Sequence, residues 1–181
     1  MNSTTTYSAG TWYHLALVYD GSASTKCKLY VNGSLEASST SGATSYSVGT
    51  KLSIGRQGTS GQTFFDGAVD DVAYFKRVLT ATEISDLANQ TGYGDSIGSA
   101  GDGTNSNITV DTTNEKLGSG CYSFNDSSSR VAITPTGLVP ANNYTISCWA
   151  RINSSTDSGD SVWRMLIGSS WGVSLYYISS S

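Results

Sequence analysis

Residues 11–19 read Thr-Trp-Tyr-His-Leu-Ala-Leu-Val-Tyr, and this stretch decides the fold class. In a β-strand, alternate side chains share one face. The even-numbered residues of 12–18 would form one face and the odd-numbered residues of 13–19 the other, and both sets are mostly apolar. Because a strand with two apolar faces is covered on both sides, the stretch predicts a central strand between two layers.

The residues that follow contain a strong hairpin signal. Residues 26–31 and 34–37 flank Asn32-Gly33, and Asn-Gly between two such runs predicts a two-residue turn. Short apolar runs predict further strands along the rest of the chain. These runs are residues 51–55, 64–75, 121–124, 130–133, 144–152, 162–167 and 172–178.

Only one helix is predicted. Thr80 and Glu83 have the spacing of a capping box, and Ile84, Leu87 and Ala88 supply an apolar face after it. About ten short strands with one short helix predict an all-β fold, a two-sheet antiparallel jelly-roll sandwich.

Composition narrows the class of partner. The chain has 181 residues, and its 38% of apolar residues is too high for a disordered protein. The formal net charge is -4 without a basic run, so we expect no nucleic acid partner. No apolar run approaches the roughly 20 residues that cross a bilayer, so we expect no membrane insertion. The first residues also lack the charged start and apolar run of a signal peptide.

The cysteines are Cys27, Cys121 and Cys148, an odd number that leaves at least one unpaired within the chain. With His14 as the single histidine and no Cys-x-x-Cys pair, a zinc site is not expected. We predict three small buried residues in strands, and a bond from Cys148 to Cys27 or Cys121 stays open.

Two blocks of the sequence resemble opposite halves of one known family. The first block consists of GTWYHLALVYDG (10–21), KLYVNG (28–33), LSIG (52–55), FDGAVDDV (65–72) and VLTATEI (78–84). It resembles the C-terminal half of the laminin-G-like, concanavalin A-like lectin jelly-roll family, which includes pentraxin-like modules. The second block consists of GCYSFN (120–125), VAI (131–133) and YTISCWAR (144–151), and it resembles the N-terminal half.

The two halves therefore occur in reversed order. The resemblance implies a circularly permuted single domain over residues 1–181, built from 1–91 and 108–181. The Gly-, Ser- and Asn-rich tract 92–107 would be an irregular join between them. The alternative is a fragment of a tandem array that closes on itself or exchanges halves between two chains, as a homo-oligomer or domain swap.

Residues suited to catalysis are scarce. The glutamates are Glu36, Glu83 and Glu115. The sequence has no Glu-x-Asp-x-x-Glu pattern, and the adjacent Asp70 and Asp71 would point to opposite faces of a strand. His14 lies in an apolar strand and is interpreted as a satisfied core histidine. We therefore predict that the protein is not an enzyme.

Calcium (Ca2+), which takes six to eight oxygen ligands, is the best ion candidate. The metal-ligating candidates are Asp70, Asp71, Asn125 and Asp126, with Asp66 also of a suitable type. In related jelly rolls calcium often lies where loops from the two halves meet. Such a site would bring Asp70 and Asp71 close to Asn125 and Asp126. The rival interpretation of Asp70 is structural, with its carboxylate accepting backbone N–H bonds from a neighbouring turn.

Sugar binding needs an exposed aromatic side chain with polar groups beside it. Trp12 and Trp149 match core positions in the family's strands, so we expect both to be buried. The ligand-binding candidates are the less constrained Trp163, Trp171, Tyr176 and Tyr177.

The resemblance implies a non-catalytic, lectin-like module whose partner is a glycan or polysaccharide, located extracellularly or on a cell or virion surface. The alternative is a structural or adhesive module of a virion, an appendage or a cell-surface protein, which would act through protein contacts. Glycan binding and a defined assembly state are the observations that separate these two functions.

Overall fold

The computed structural model describes residues 5–40, 52–55, 65–89, 104–124, 129–133, 143–153, 163–169 and 174–178. Within these ranges the chain forms twelve strands and one helix, α1 (Ala81–Asn89). The strands are β1 (Trp12–Asp20), β2 (Cys27–Val31), β3 (Ser34–Ser39), β4 (Leu52–Ile54), β5 (Gly67–Phe75), β6 (Thr104–Ser106), β7 (Ile108–Asp111), β8 (Cys121–Phe124), β9 (Arg130–Ile133), β10 (Asn143–Ile152), β11 (Trp163–Ser169) and β12 (Ser174–Ile178). α1, the one helix of the described residues, is not long and apolar enough to cross a membrane.

The strands form two antiparallel sheets. The larger sheet has seven strands in the order β3-β2-β1-β10-β5-β8-β7, and the smaller has five in the order β12-β11-β4-β9-β6. The predicted antiparallel sandwich with one helix is confirmed, and β1 is the central strand that residues 11–19 indicated. The hairpin turn is confirmed as well, since Asn32 and Gly33 both have positive φ, at 48° and 81°.

Both sheets contain strands from both halves of the sequence. All nine residues of β1 pair with β10, from Trp12 opposite Arg151 to Asp20 opposite Asn143. In the larger sheet β5 lies between β10 and β8, and in the smaller sheet β4 lies between β11 and β9. The circular permutation and the domain limits stay predictions, because this pairing does not show how the chain order relates to the family.

The main core lies between the two sheets. β1 and β10 contribute Leu15, Leu17, Ile146 and Cys148, and β4 and β9 contribute Ile54 and Val131 from the opposite side. Phe65 and Phe124 pack edge to face with ring centroids 6.4 Å apart. Gly55, at φ +83°, lies so close that a Cβ there would be 2.2 Å from Phe124 Cδ1, so this strand end requires glycine.

The face of the larger sheet that points away from the main core is called the outer face below. Two different segments of the chain cover two parts of it. The part called here the apolar half consists of Ala16, Val18 and Tyr30, packed against Leu79 and Ile84. Leu79 immediately precedes α1 and Ile84 lies within it, so the helix covers this half. Burial of these apolar groups is what holds α1 on the sheet.

The predicted capping box begins α1. Thr80 Oγ1 accepts a 3.2 Å hydrogen bond from the Glu83 N–H, and the Thr80 N–H donates to Glu83 Oε2 at 2.8 Å. The segment before the helix is fixed to the sheet by Thr145, whose hydroxyl accepts from the Leu79 N–H and donates to Arg77 O, both at 3.0 Å. The cap prediction is thereby confirmed.

Two strands were missed by the sequence analysis. The tract 92–107, predicted as an irregular join, contains β6 at one edge of the smaller sheet, and β7 follows at one edge of the larger sheet. Both strands are short, and β6 reads Thr-Asn-Ser without an apolar residue. An edge strand bonds a single neighbour and need not alternate, so its sequence carries little signal.

No disulfide joins the three cysteines, and each stands in a strand. Cys121 and Cys148 are buried, as predicted, whereas Cys27 is half-buried. Burial raises the pKa of Cys148, and burial with the nearby charges of Asp111 and Asp70 raises that of Cys121 to about 11. All are therefore protonated thiols at neutral pH.

Candidate functional site

The rest of the outer face, called here the polar half, is formed by Trp12, His14, Trp149 and Arg151. These residues are direct cross-strand partners, Trp12 with Arg151 and His14 with Trp149. The His14 and Trp149 rings meet edge to face with centroids 5.4 Å apart. The Arg151 guanidinium carbon lies 5.6 Å from the Trp12 ring centroid, within range of a cation–π interaction.

The loop between β7 and β8 covers the polar half and is bonded to it through its backbone. Trp12 Nε1–H donates to Asn114 O at 3.2 Å. Asp70 Oδ2 accepts the N–H of Lys116 at 3.0 Å and that of Leu117 at 2.9 Å. Leu117 is buried beneath the loop. The Asp70 carboxylate, which binds two loop amides, and the buried Leu117 side chain together fix the loop on the sheet.

Asp111 orders the first turn of the loop. Its Oδ1 accepts from the Thr113 N–H at 2.9 Å, the Thr113 hydroxyl at 2.8 Å and the Asn114 N–H at 3.1 Å. These bonds to Thr113 and Asn114 lower the pKa of Asp111 to about 2. Asp111 Oδ2 lies 3.8 Å from an Arg151 guanidinium nitrogen, so the turn also forms an ion pair with the polar half.

Three buried side-chain atoms of the polar half and one of the β7–β8 loop have no hydrogen-bond partner in the described part of the chain. They are His14 Nδ1, Trp149 Nε1, Arg151 Nε and Glu115 Oε2. His14 is 2% exposed and Trp149 is 6% exposed, so both are almost completely removed from bulk solvent. Burial lowers the pKa of His14 to about 4, which keeps its imidazole neutral at pH 7.

Sequence analysis described these residues only in part. His14 and Trp149 are buried as predicted, but they lie on the outer face rather than between the sheets. The interpretation of His14 as a histidine with all its hydrogen bonds satisfied was wrong, because His14 Nδ1 has no partner in the described residues. Trp12 was expected to be buried and is half-exposed. Arg151 and Glu115 were missed, although residues 149 and 151 are two apart in one strand and therefore lie on the same face.

Asp70 has the structural role that was its rival interpretation. Its Oδ1 accepts the Asp71 N–H at 2.9 Å, while Oδ2 accepts two loop amides. Asp71 has a φ of 47°, and the β5–β10 register shifts beside it, between Ser147 and Trp149. The two aspartates therefore lie at a β-bulge, and the simple alternation expected from an unbroken strand does not apply.

Of the proposed calcium ligands, the structure describes Asp70 and Asp71. Gly67 pairs with Phe124, so Asp70 lies three residues from the end of β5 that faces the end of β8. Asn125 and Asp126 follow Phe124 and lie outside the described residues. Among the described residues, no group of three His, Cys, Asp or Glu could hold a metal ion. Both Asp70 oxygens accept backbone amides, and calcium binding by Asp70, Asp71, Asn125 and Asp126 stays a prediction.

Three of the four predicted ligand-binding aromatics belong to the smaller sheet. Trp163 is in β11, and Tyr176 and Tyr177 are in β12 at the sheet edge, with Tyr176 paired to Met165. Trp171 lies outside the described residues. The three described positions and the polar half are therefore in different sheets.

Residues 1–85 match the profile of a family described as the concanavalin A-like lectin/glucanases superfamily. This part of the chain is laminin-G-like. The matched stretch contains all of β1 to β5 and the start of α1. The comparison with curated proteins finds no match, and neither does the comparison with solved structures. The matched residues thus include the interior strand β1 of the larger sheet, with Trp12 and His14.

Proposed function

We propose that the protein is a non-catalytic, lectin-like carbohydrate-binding module that acts outside the cell or on a virion surface. The observation that carries the proposal is the laminin-G-like match of residues 1–85, set in an antiparallel two-sheet sandwich. The fold alone does not define a ligand. The aromatic and polar groups on the outer face supply the chemistry that sugar recognition needs.

Four of the described carboxylates are held in structural bonds, which favours a binding role over hydrolysis. Glycoside hydrolysis uses two carboxyl groups roughly 5–10 Å apart on either side of the scissile bond. Here Asp70 holds the β7–β8 loop and Asp111 caps its first turn. Glu83 pairs with Arg77, and Asp66 Oδ1 accepts from Asn153 Nδ2 at 2.9 Å. Each of these groups has a structural bond that a free catalytic acid or base would lack.

A glycan array tests this function. We expect binding to at least one neutral glycan, and Trp171→Ala to weaken this binding if Trp171 contacts the ligand. Tyr122→Ala is the matched control, because Tyr122 is an exposed aromatic residue of the larger sheet. Absence of binding to every glycan, in calcium and in EDTA alike, would exclude the lectin-like function.

Calcium dependence is the finer part of the same proposal. If Asn125 and Asp126 hold a calcium ion that orders the ligand site, EDTA abolishes array binding and added calcium restores it. Asn125→Ala with Asp126→Ala would then remove the calcium response. Identical binding in calcium and EDTA would reject the ion while leaving the lectin-like function in place.

An adhesive module is the second candidate, favoured by the open edge of the larger sheet. Val110 of β7 is 64% exposed and pairs with Tyr122, which is 36% exposed. An edge strand with exposed apolar residues is suited to pairing with another chain. Light scattering tests this reading: a stable oligomer that Val110→Lys dissociates, without glycan binding, would favour it over the lectin-like module.

A further inference from the structure

The unpartnered polar atoms of the polar half point to a ligand. Buried polar groups without a partner are rare in native proteins, and each needs an explanation. Here His14, Trp149 and Arg151 present three on one patch of the sheet, and Glu115 presents a fourth from the loop above. In the apolar half, by contrast, the Thr145 hydroxyl is bonded both as donor and as acceptor.

We propose that the polar half, under the β7–β8 loop, is a binding site for one neutral sugar ring. This inference rests on the proposed lectin-like function and assigns it to the larger sheet, whereas Trp163, Tyr176 and Tyr177 are in the smaller sheet.

The hydrogen-bonding groups match hydroxyls. Trp149 Nε1–H and Arg151 Nε–H can only donate, and an ionised Glu115 Oε2 can only accept. His14 Nδ1 can do either, since the imidazole is neutral and its tautomer can adapt. A hydroxyl group both donates and accepts, so neighbouring hydroxyls of a sugar satisfy this mixed set. An ammonium group would leave the donors unsatisfied, and a carboxylate would leave Glu115 unsatisfied.

The charges at the site favour a neutral ligand. Arg151 is paired with Asp111, and Asp70 is held by two backbone amides. The remaining charges are the Lys116 ammonium and the Glu115 carboxylate, which cancel within the loop. An anion would gain Lys116 but would meet Glu115 and the neighbouring aspartates, so acidic sugars are disfavoured.

Lys116 covers the site and can leave it. Its Nζ lies 4.2 Å from the Trp149 ring centroid, and the residue is exposed. Rotation of this flexible side chain uncovers the indole and breaks only a cation–π contact, which is weak at an exposed site. The bonds from Asp70 go to backbone amides, so this rotation leaves the loop attached to the sheet.

Indole N–H resonances of the uniformly 15N-labelled protein test the site directly. The probes are glucose, galactose, mannose and N-acetylglucosamine, together with any glycan bound on the array. We expect a saturable shift of the Trp149 indole resonance, which is assigned by its loss in Trp149→Phe. Glu115→Gln, at a half-buried loop position, should weaken binding about tenfold, the effect of losing one charged hydrogen bond. Asp86→Asn on the exposed side of α1 is the matched control and should bind unchanged.

The outcomes separate this site from the function on which it rests. If array binding is present and the resonance of another tryptophan shifts while that of Trp149 does not, the lectin-like function stands and this site is wrong. Binding only of glucuronic or sialic acid also overturns the site, as does unchanged binding by Glu115→Gln. If no resonance shifts and the array is blank, both proposals fail.

A second variant tests the cover without touching a buried residue. Lys116→Ala removes the side chain that lies over Trp149, and we expect neutral sugars to bind severalfold tighter. Lys116→Arg keeps the cation–π contact and should bind like the wild type. A Lys116→Ala variant that no longer binds would show that Lys116 holds the ligand, which overturns its role as a cover.

Discussion

The two halves of the outer face lie on the same pair of strands and differ in almost every other respect. The apolar half packs Ala16 and Val18 under α1, and its polar Thr145 is fully bonded. The polar half packs aromatic and charged residues under an irregular loop and leaves buried donors unpaired. Helical cover gives an interface that apolar burial stabilises, whereas loop cover allows a patch of hydrogen-bonding groups to stay unfilled by protein.

The boundary between the halves coincides with the bulge in β5. The register of β10 against β5 shifts between Ser147, which belongs to the side under α1, and Trp149, which begins the polar half. Asp70 stands directly before the left-handed Asp71 and reaches the loop with its carboxylate. Because a bulge re-aims the side chains around it, this one places Asp70 where it can hold the cover of the polar half.

Ile84→Ala should have the largest effect, because Ile84 is 0% exposed where α1 meets the apolar half. Truncation of a fully buried isoleucine costs the burial of its methyl groups and leaves a cavity, together about 3 kcal/mol. Urea unfolding followed by circular dichroism measures the loss. Leu87→Ala, at a half-buried position of the same helix, should cost clearly less, and equal losses would mean that α1 is not anchored through Ile84.

Asp70→Asn should destabilise the fold by about 2 kcal/mol, since it removes a charged acceptor from two loop amides. Unlike Ile84→Ala, it should act locally. Hydrogen exchange should speed up at the Lys116 and Leu117 amides and stay unchanged in α1. Asp86→Asn, at an exposed carboxylate, is the control and should change neither quantity. Unchanged exchange at both loop amides would show that the loop is held by other contacts.

His14 should make stability depend on pH. Its pKa is about 4 in the folded protein against 6.5 for the free side chain, so the unfolded chain binds the proton more readily. Its contribution is complete above pH 6.5 and is lost as the pH falls towards 4. At pH 5 the loss is about 2 kcal/mol relative to pH 8. His14→Gln should flatten the stability profile between pH 5 and 7, and parallel profiles of variant and wild type would contradict this origin.

Features that depend on a few neighbouring residues were predicted from the sequence. Alternation in residues 11–19, the Asn32-Gly33 turn and the spacing of Thr80 and Glu83 each act over a few residues, and each is confirmed. The polar half depends instead on the register that pairs Trp12 with Arg151, residues far apart in the chain. Alternation shows which residues share a face of one strand, but it does not show what lies beside them.

The calcium ligands illustrate the same limit. Asp70, Asp71, Asn125 and Asp126 were grouped by residue type and by the halves they come from. A bulge that no local pattern announced turns Asp70 towards the loop, while Asn125 and Asp126 lie outside the described residues. Oxygen ligands are common in a chain of this composition, so only their spatial arrangement distinguishes an ion site from structural bonds.

Thr80→Ala should have the smallest effect of these variants, and it isolates the cap of α1 from its packing. The substitution removes the hydroxyl that accepts the Glu83 N–H and should cost about 1 kcal/mol. Thr82→Ala, at an exposed position in the same turn, removes the same hydroxyl group without a cap and should be close to neutral. Because the cap acts only on the helix, Thr80→Ala should speed hydrogen exchange in the first turn of α1 and leave the β7–β8 loop unaffected. Faster hydrogen exchange in both α1 and the β7–β8 loop would mean that the two halves of the outer face are coupled through β1 and β10 rather than stabilised independently.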